Sequence, residues 1–327
     1  MNIRREQAHL AASMYYEQGL TMDAVARRLD VSRSSVSRLL AFARTSGIVQ
    51  IRVSAPLTEP GTLAAEFQRQ FGVRTLVVPT LEVDSPATRL NSVAAVAASR
   101  LSELMAPGKT LGVAWGNTVS AVINHIAPHS MPGSTVVQLN GAANAFDSGT
   151  LYSDSIISTL AKAYDSSAVH FPVPAFFDYV ETKNALVRER SIRRVLDVID
   201  SCDLVVFGVG AMDPAMPSHV YAGGYLSSTE LKEAREDGVV GDICTVLIRE
   251  DGTTDMPLNA RASGPLPAQL KRISTRLCVV AGSAKVPALL GALRAGVVTD
   301  LIIDSSAARA LVHRMREAGR GDLPGTL

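Results

Sequence analysis

The sequence has few of the residues that mark specialised classes of protein. Its 327 residues include three cysteines, one tryptophan and only 5% aromatic residues. Cys202, Cys244 and Cys278 lie far apart inside apolar stretches, which excludes a disulfide framework and predicts buried core thiols. No apolar run is long enough to cross a bilayer, and the chain opens with an amphipathic pattern instead of a signal peptide. We therefore expect a cytoplasmic protein.

Patterns for metals, cofactors and catalysis are also scarce. His125 and His129 have a helical spacing, but Pro128 interrupts the helix and no carboxylate completes a ligand set. None of the histidines lies beside a recognisable nucleophile motif. The glycines of FGVGAMD (207–213) lack the helix and acidic residue of a dinucleotide site. The sequence thus predicts no metal, no cofactor and no catalytic residue.

Charge is unevenly distributed, although the whole chain carries a net charge of only +1. Residues 1–56 contain eight arginines and four carboxylates, a net +4, so the remainder carries −3. Helical spacing predicts a helix upstream, from Ile3 to Gln18, and a pair from Met22 to Leu29 and Arg33 to Thr45, with Thr21 and Ser32 as caps. The very short connection between the paired helices predicts a helix-turn-helix.

The second helix of the pair has the side chains of a DNA-reading helix at its N-terminal end. Guanidinium and hydroxyl groups of this kind contact phosphates and base edges in the major groove. An ordinary solvated helix face is the alternative, and the tight turn, caps and local charge favour DNA. The predicted DNA-binding residues are Arg33, Ser34, Ser35, Ser37 and Arg38.

In the segment GIVQIRVSAP (47–56), apolar and polar residues alternate as in a short strand. This segment is interpreted as a wing, which completes a DNA-binding domain over 1–56. One short recognition helix reads too few base pairs for a unique genomic site. We therefore predict a homo-oligomer, a tetramer or dimer of dimers, on a symmetric operator.

A linker helix is predicted within 57–72, from Leu63 to Phe71, and a larger domain spans 73–327. Continuous apolar runs alternate there with helical patterns, which predicts an α/β, Rossmann-like domain with a mostly parallel sheet covered on both faces. The predicted strands are 75–78, 110–115, 135–139, 204–210, 243–248, 276–282 and 300–304.

Ligands of such sheets bind beyond the carboxyl ends of the strands, so the turns there supply candidate effector contacts. In WGNT (115–118), Gly116, Asn117 and Thr118 follow a strand and open a helix, an arrangement that holds phosphate. The same residues also make an ordinary turn and cap. Lys285 begins another helix and either adds a charge for an anion or is simply solvated.

Two further strand ends, and a turn before an apolar run, offer polar or small residues for sugar hydroxyls. They are Asn140 and Gly141 in QLNGAAN, Gly210 in FGVGAMD, and Asp242, which directly follows Gly241 and precedes an apolar run. Asp242 accepts hydrogen bonds from a ligand in one interpretation and caps a turn in the other.

Together these stretches resemble the SorC family of bacterial sugar-responsive transcriptional regulators over nearly the whole chain. The resemblance implies a winged helix-turn-helix followed by an effector domain similar to sugar-phosphate isomerases and deaminases. It also implies a phosphorylated sugar or polyol effector, with phosphate at WGNT and Lys285, and sugar at Asp242, Asn140 and Gly141. The matching stretches are LTMDAVARRLDVSRSSVSRLL, WGNTVSAVI, QLNGAAN, GVGAMD, GYLSSTELKEAREDGVVGDIC and VAGSAKVPALLGALRAGVVTDLIID.

The expected function is a DNA-binding transcriptional regulator of a carbohydrate or polyol catabolic operon, controlled by a phosphorylated sugar, and not an enzyme. The alternative is a sugar-phosphate isomerase or deaminase-like enzyme with an incidental N-terminal module. Catalysis would need a second acid or base near the sugar carbons, and beyond Asp242 the sequence shows no convincing one.

Overall fold

The computed structural model describes residues 3–49, 59–142, 148–213 and 218–321. The chain divides into two compact units, Met1–Pro56 and Leu57–Leu327. The helices of the first unit are α1 (Ile3–Ala12), which a π-helix (Ser13–Glu17) extends, α2 (Met22–Leu29) and α3 (Arg33–Thr45). None of the helices in the described ranges is long and apolar enough to cross a membrane.

Local signals in the sequence fix the boundaries of α2 and α3, and the predicted boundaries are confirmed. The Thr21 hydroxyl accepts a hydrogen bond from the Ala24 amide (3.3 Å), and Ser32 accepts one from the Ser35 amide (3.1 Å). Asp30 ends α2 in the left-handed region, with φ of 51°. The buried core of the unit is small, and most of the predicted wing, from residue 50 onward, lies outside the described residues.

The second unit contains a seven-stranded sheet, a three-stranded sheet and the helices around them. Its helices are α4 (Glu59–Phe71), α5 (Pro86–Leu104), α6 (Asn117–Asn124), α7 (Ser148–Tyr164), α8 (Val180–Leu186), α9 (Arg190–Asp200), α10 (His219–Ala222), α11 (Ser228–Glu236), α12 (Pro267–Leu270), α13 (Val286–Arg294) and α14 (Ser305–Gly321). Its strands are β1 (Arg74–Val78), β2 (Thr110–Val113), β3 (Thr135–Gln138), β4 (Ser167–Val169), β5 (Leu204–Phe207), β6 (Val209–Ala211), β7 (Val239–Ile243), β8 (Val246–Arg249), β9 (Thr275–Val280) and β10 (Asp300–Asp304).

The larger sheet is parallel throughout, in the order β1-β10-β9-β5-β2-β3-β4. Alternate residues of its central strands belong to two different apolar clusters, as Leu204 and Val205 do. Helices α5, α6 and α7 cover one cluster, whereas α4, α9, α13 and α14 cover the other. Both faces are therefore buried, which explains the continuous apolar runs and confirms the predicted α/β fold with a mostly parallel sheet.

Two predicted strands are wrong, because the chain turns inside each apolar run. The run 204–210 breaks at Gly208, where β5 ends in the large sheet and β6 begins in the small one. The run 243–248 is the turn of an antiparallel hairpin, in which Cys244 and Thr245 have φ of 50° and 69°. Asp242 consequently lies within β7 and does not precede a strand of the large sheet.

Two shorter elements also differ from the sequence interpretation. Strand β4 was not predicted, since it is only three residues long and largely exposed. The predicted linker helix begins at Glu59, four residues earlier than expected, and buries Leu63 and Phe67 in the core of the second unit.

Candidate functional site

The N-terminal end of α3 presents the five residues predicted to bind DNA. Arg33, Ser34, Ser37 and Arg38 are exposed, whereas Ser35 is half-buried. The Ser32 hydroxyl lies 2.8 Å from the Ser34 hydroxyl and 2.9 Å from the Ser35 hydroxyl, so both serines take part in the cap network. The two arginines are exposed; Arg33 Nε lies 3.7 Å from Asp23 Oδ1, and Arg38 Nε donates a hydrogen bond to the Ser34 carbonyl over 3.3 Å.

A cavity of about 360 Å³ lies in the second unit, beyond the carboxyl ends of β2, β3, β5 and β9. This is the edge at which a parallel sheet collects its strand-to-helix turns. Residues far apart in sequence meet there, and seven of the eight predicted effector residues line the cavity: Gly116, Asn117, Thr118, Asn140, Gly210, Asp242 and Lys285.

One wall of the cavity combines a partly buried lysine with a helix N-terminus. Lys285 Nζ donates a hydrogen bond to Thr118 Oγ1 over 2.6 Å. Helix α6 begins after Gly116, which supplies no side-chain cap for the amides of the first turn. Burial lowers the pKa of Lys285, while nearby Cys278 and Asp242 oppose that shift. This wall has the positive charge and the helix N-terminus that suit an anion.

Other residues of the cavity lining offer buried oxygen atoms that can accept hydrogen bonds. Asp242 is 5% exposed, and its Oδ2 accepts a hydrogen bond from the Thr245 amide (3.1 Å). Among the described residues, neither Asp242 Oδ1 nor Asn140 Oδ1 has a hydrogen-bond partner, although both atoms are buried. Buried acceptors of this kind normally have donors, and the hydroxyl groups of a ligand would provide them.

Burial raises the pKa of Asp242 to about 6, while Tyr221, the Thr245 amide and Lys285 act in the opposite direction. The Tyr221 hydroxyl is near enough to influence this carboxyl but lies outside hydrogen-bonding geometry. Gly210 pairs with Asp242 across β6 and β7, and a Cβ at Gly210 would lie 1.8 Å from Asp242 Oδ1. A glycine is therefore needed at 210 to leave room for this carboxyl.

Gly141, the eighth predicted residue, is not among those that line the cavity. Its amide donates to Ser263 Oγ (3.0 Å), and its carbonyl accepts from Trp115 Nε1 (2.9 Å). A Cβ at this position would lie 2.3 Å from the Val173 carbonyl oxygen. Gly141 thus allows two backbone segments to approach closely behind the cavity wall.

Sequence reasoning missed an aromatic group at the cavity. The Trp115 ring stacks on Tyr225 with centroids 5.3 Å apart, and His219 meets both rings edge-on at 5.9 and 5.8 Å. Trp115 and His219 line the cavity. As the single tryptophan of the chain and part of WGNT, Trp115 could have been singled out, but no local signal connects His219 or Tyr225 with this site.

Comparison with known proteins agrees with this architecture. The sequence profile of the family described as "Putative sugar-binding domain" matches residues 55–313. The chain is 30% identical over 305 residues to the deoxyribonucleoside regulator of Bacillus subtilis (strain 168), covering 93% of this chain and 96% of that protein.

Solved structures show the same fold. A domain of a possible sugar-binding transcriptional regulator from Arthrobacter aurescens TC1 is 40% identical, with a TM-score of 0.74 over 79% of this chain and 100% of that chain. The full-length sorbitol operon regulator SorC from Klebsiella pneumoniae is 22% identical and shares the fold, with a TM-score of 0.75 over 95% of this chain and 99% of that chain. The chain belongs to the SorC family of sugar-binding transcriptional regulators.

Proposed function

We propose that this regulator controls a carbohydrate or polyol catabolic operon and that a phosphorylated sugar or polyol in the cavity is its effector. The observation that carries this proposal is one cavity lined by Lys285, the N-terminus of α6 and two buried acceptors, Asp242 Oδ1 and Asn140 Oδ1, that have no hydrogen-bond partner in the described part of the chain. An anionic group fits the first pair, and hydroxyl groups fit the second. A phosphorylated sugar carries both in one molecule.

The phosphate belongs at Lys285, Asn117 and Thr118. The Lys285 side chain is held by Thr118 and is partly buried, so a dianion beside its ammonium group would gain a charge-assisted hydrogen bond. The N-terminus of α6, for which Gly116 supplies no side-chain cap, adds the positive end of a helix dipole on the same wall.

The sugar hydroxyls belong at Asp242 and Asn140, and binding is reversible and not catalytic. Asp242 is the single carboxylate among the described residues that line the cavity. A sugar-phosphate isomerase or deaminase needs a positioned acid as well as a base at the reacting carbons, and since His219 and Lys285 also line the cavity, turnover has to be measured. A turnover assay with ribose 5-phosphate and glucosamine 6-phosphate separates the regulator from the enzyme.

DNA binding is assigned to the first unit, with Arg33 and Arg38 on α3 contacting the operator. The buried side chains of Val36 and Leu40 anchor the opposite face of this helix. Operator DNA lies in the bacterial cytoplasm, so the protein acts there. Two or more copies of α3, in a tetramer or dimer of dimers, supply the length of sequence that one helix cannot read.

Calorimetry with matched phosphorylated and unphosphorylated sugars and polyols tests the effector assignment. Lys285→Ala should weaken binding of the phosphorylated ligand by about 1.5 to 3 kcal/mol, since it removes a charged hydrogen bond. Lys232→Ala, which removes an exposed lysine on α11, should leave the affinity unchanged. Equal affinity of the wild type for both ligands of a pair would contradict a phosphate site.

Operator binding tests the DNA assignment. Arg38→Ala should weaken it by about 1 to 3 kcal/mol if the guanidinium group reads a base, without change in thermal stability. Arg44→Ala removes the same charge at the other, exposed end of α3 and serves as the matched control. If neither Arg33→Ala nor Arg38→Ala alters operator affinity, α3 is not the recognition helix.

A further inference from the structure

Three consecutive carbonyl groups after β3 each accept a hydrogen bond from a side chain. Gln138 Nε2 donates to the Asn140 carbonyl over 2.8 Å. Trp115 Nε1 donates to the Gly141 carbonyl over 2.9 Å, and the Tyr225 hydroxyl donates to the Ala142 carbonyl over 3.1 Å. Residues 140–142 therefore have their backbone direction fixed by side chains and not by a sheet.

The two aromatic side chains, Trp115 and Tyr225, donate hydrogen bonds to the backbone and also restrict each other by stacking. Trp115 follows β2 and is buried, whereas Tyr225 comes from the segment before α11 and is half-buried. Their rings are stacked with an interplanar angle of 29°. Because stacking restricts both side chains, each donor meets its carbonyl with little loss of rotamer freedom.

The segment that these donors hold carries Asn140, whose buried Oδ1 has no partner among the described residues and lines the cavity. An unsatisfied buried acceptor costs free energy, and a mobile segment would rotate it toward water or another donor. The rigid backbone prevents that rotation and leaves the acceptor available to a hydroxyl group. This is the preorganisation that a selective site needs from its supporting residues.

We propose that Trp115 and Tyr225 are positioning residues for Asn140 and thereby set how tightly the sugar part of the effector binds. The inference rests on the proposed function, because it concerns the same cavity and its sugar hydroxyls. The phosphate end, at Lys285 and Thr118, does not depend on residues 140–142. The two ends of the effector should therefore respond differently when an aromatic donor is removed.

Tyr225→Phe is the sharpest variant, since it keeps the stacked ring and removes only the hydroxyl donor. With ribose 5-phosphate as probe, calorimetry should show affinity about fivefold to tenfold weaker than in the wild type, a loss typical of one hydrogen bond. Inorganic phosphate should bind both proteins equally. Tyr179→Phe removes a hydroxyl from an exposed ring and should change neither affinity.

A double-mutant cycle separates positioning from general loosening of the fold. If Tyr225 acts through Asn140, Tyr225→Phe should cause no further loss in an Asn140→Ala background. The same fold-loss in both backgrounds, or an equal loss for inorganic phosphate and ribose 5-phosphate, would overturn the inference. Trp115→Phe should follow Tyr225→Phe in direction.

Amide hydrogen exchange without any probe tests the positioning independently of the effector. Exchange in residues 138–142 should be several-fold faster in Tyr225→Phe and Trp115→Phe than in the wild type or Tyr179→Phe. Unchanged exchange in both variants would refute the positioning role. A wild type that binds ribose 5-phosphate no better than inorganic phosphate counts against the proposed function, and the exchange result then decides on the positioning role alone.

Discussion

Asp242 links the stability of the folded protein to pH. Burial raises the pKa of this carboxyl from 3.8 to about 6, so the folded protein holds the proton more tightly than the unfolded chain. Stability linked to Asp242 is therefore complete below about pH 4 and is lost as the pH rises through about 6. At neutral pH the ligand-free protein contains an ionised carboxylate whose Oδ1 has no hydrogen-bond partner within the described ranges, which is a cost that a ligand hydroxyl would reduce.

We predict that Asp242→Asn stabilises the ligand-free protein at pH 7 by at most about 3 kcal/mol, because the amide cannot ionise. The difference from the wild type should shrink as the pH falls from 7 to 4. Thermal unfolding across this range measures the effect. Glu82→Gln makes the same chemical change at an exposed position and should show no such trend. A difference that grows toward low pH would contradict the assignment.

At the same scale, the sequence predicts the strand-end residues of the site better than its aromatic residues. Asn117, Asn140 and Lys285 each follow an apolar strand, and the rule that parallel strands end at one edge is enough to place them together. The contacts of Tyr225 and His219 with Trp115 join segments more than 100 residues apart. Such packing depends on the finished fold and leaves no periodic or capping signal in the chain.

Among the helices and strands, accuracy depends on how local the determining interactions are. Helices α2 and α3 were predicted with their boundaries because caps, turn and apolar spacing all lie within a few residues. The hairpin of β7 and β8 was missed because its turn uses Cys244 and Thr245 in left-handed conformations. Residues other than glycine, asparagine and aspartate rarely adopt that conformation, so the apolar run resembled one strand.

Helix α3 allows a test that separates its folding from its contacts with DNA. Ser32→Ala removes the N-cap of the helix and should destabilise the first unit by about 1 kcal/mol. Ser37→Ala removes an exposed hydroxyl outside the cap and should leave stability unchanged while weakening operator binding. Thermal unfolding and operator titration of both variants give the comparison. Equal stability of Ser32→Ala and the wild type would contradict the role of the cap.

For the whole molecule, the proposed binding of DNA by the first unit of a symmetric oligomer predicts the spacing of half-sites in the operator. A symmetric oligomer places two copies of α3 on the same face of the duplex, so half-sites should be separated by about 10 base pairs or a multiple of that. Footprinting of the bound operator measures this spacing. A single isolated half-site protected by one chain would exclude a symmetric assembly.

The excess positive charge of residues 1–56 also means that the affinity of the protein for its operator should fall as the salt concentration rises.

The strand order has a consequence for how the protein is made. Among the strands of the described residues, β1 pairs with β10 alone, and Arg74 contacts Asp300 across 226 residues of sequence. At about 5 to 20 residues per second, a ribosome leaves β1 without its neighbour for on the order of 10 to 45 s. The three-helix unit is complete long before that. A nonsense mutation ahead of Thr275 would remove β9 and β10 and leave β1 unpaired, so we expect such fragments to contain a folded first unit but no closed sheet in the second.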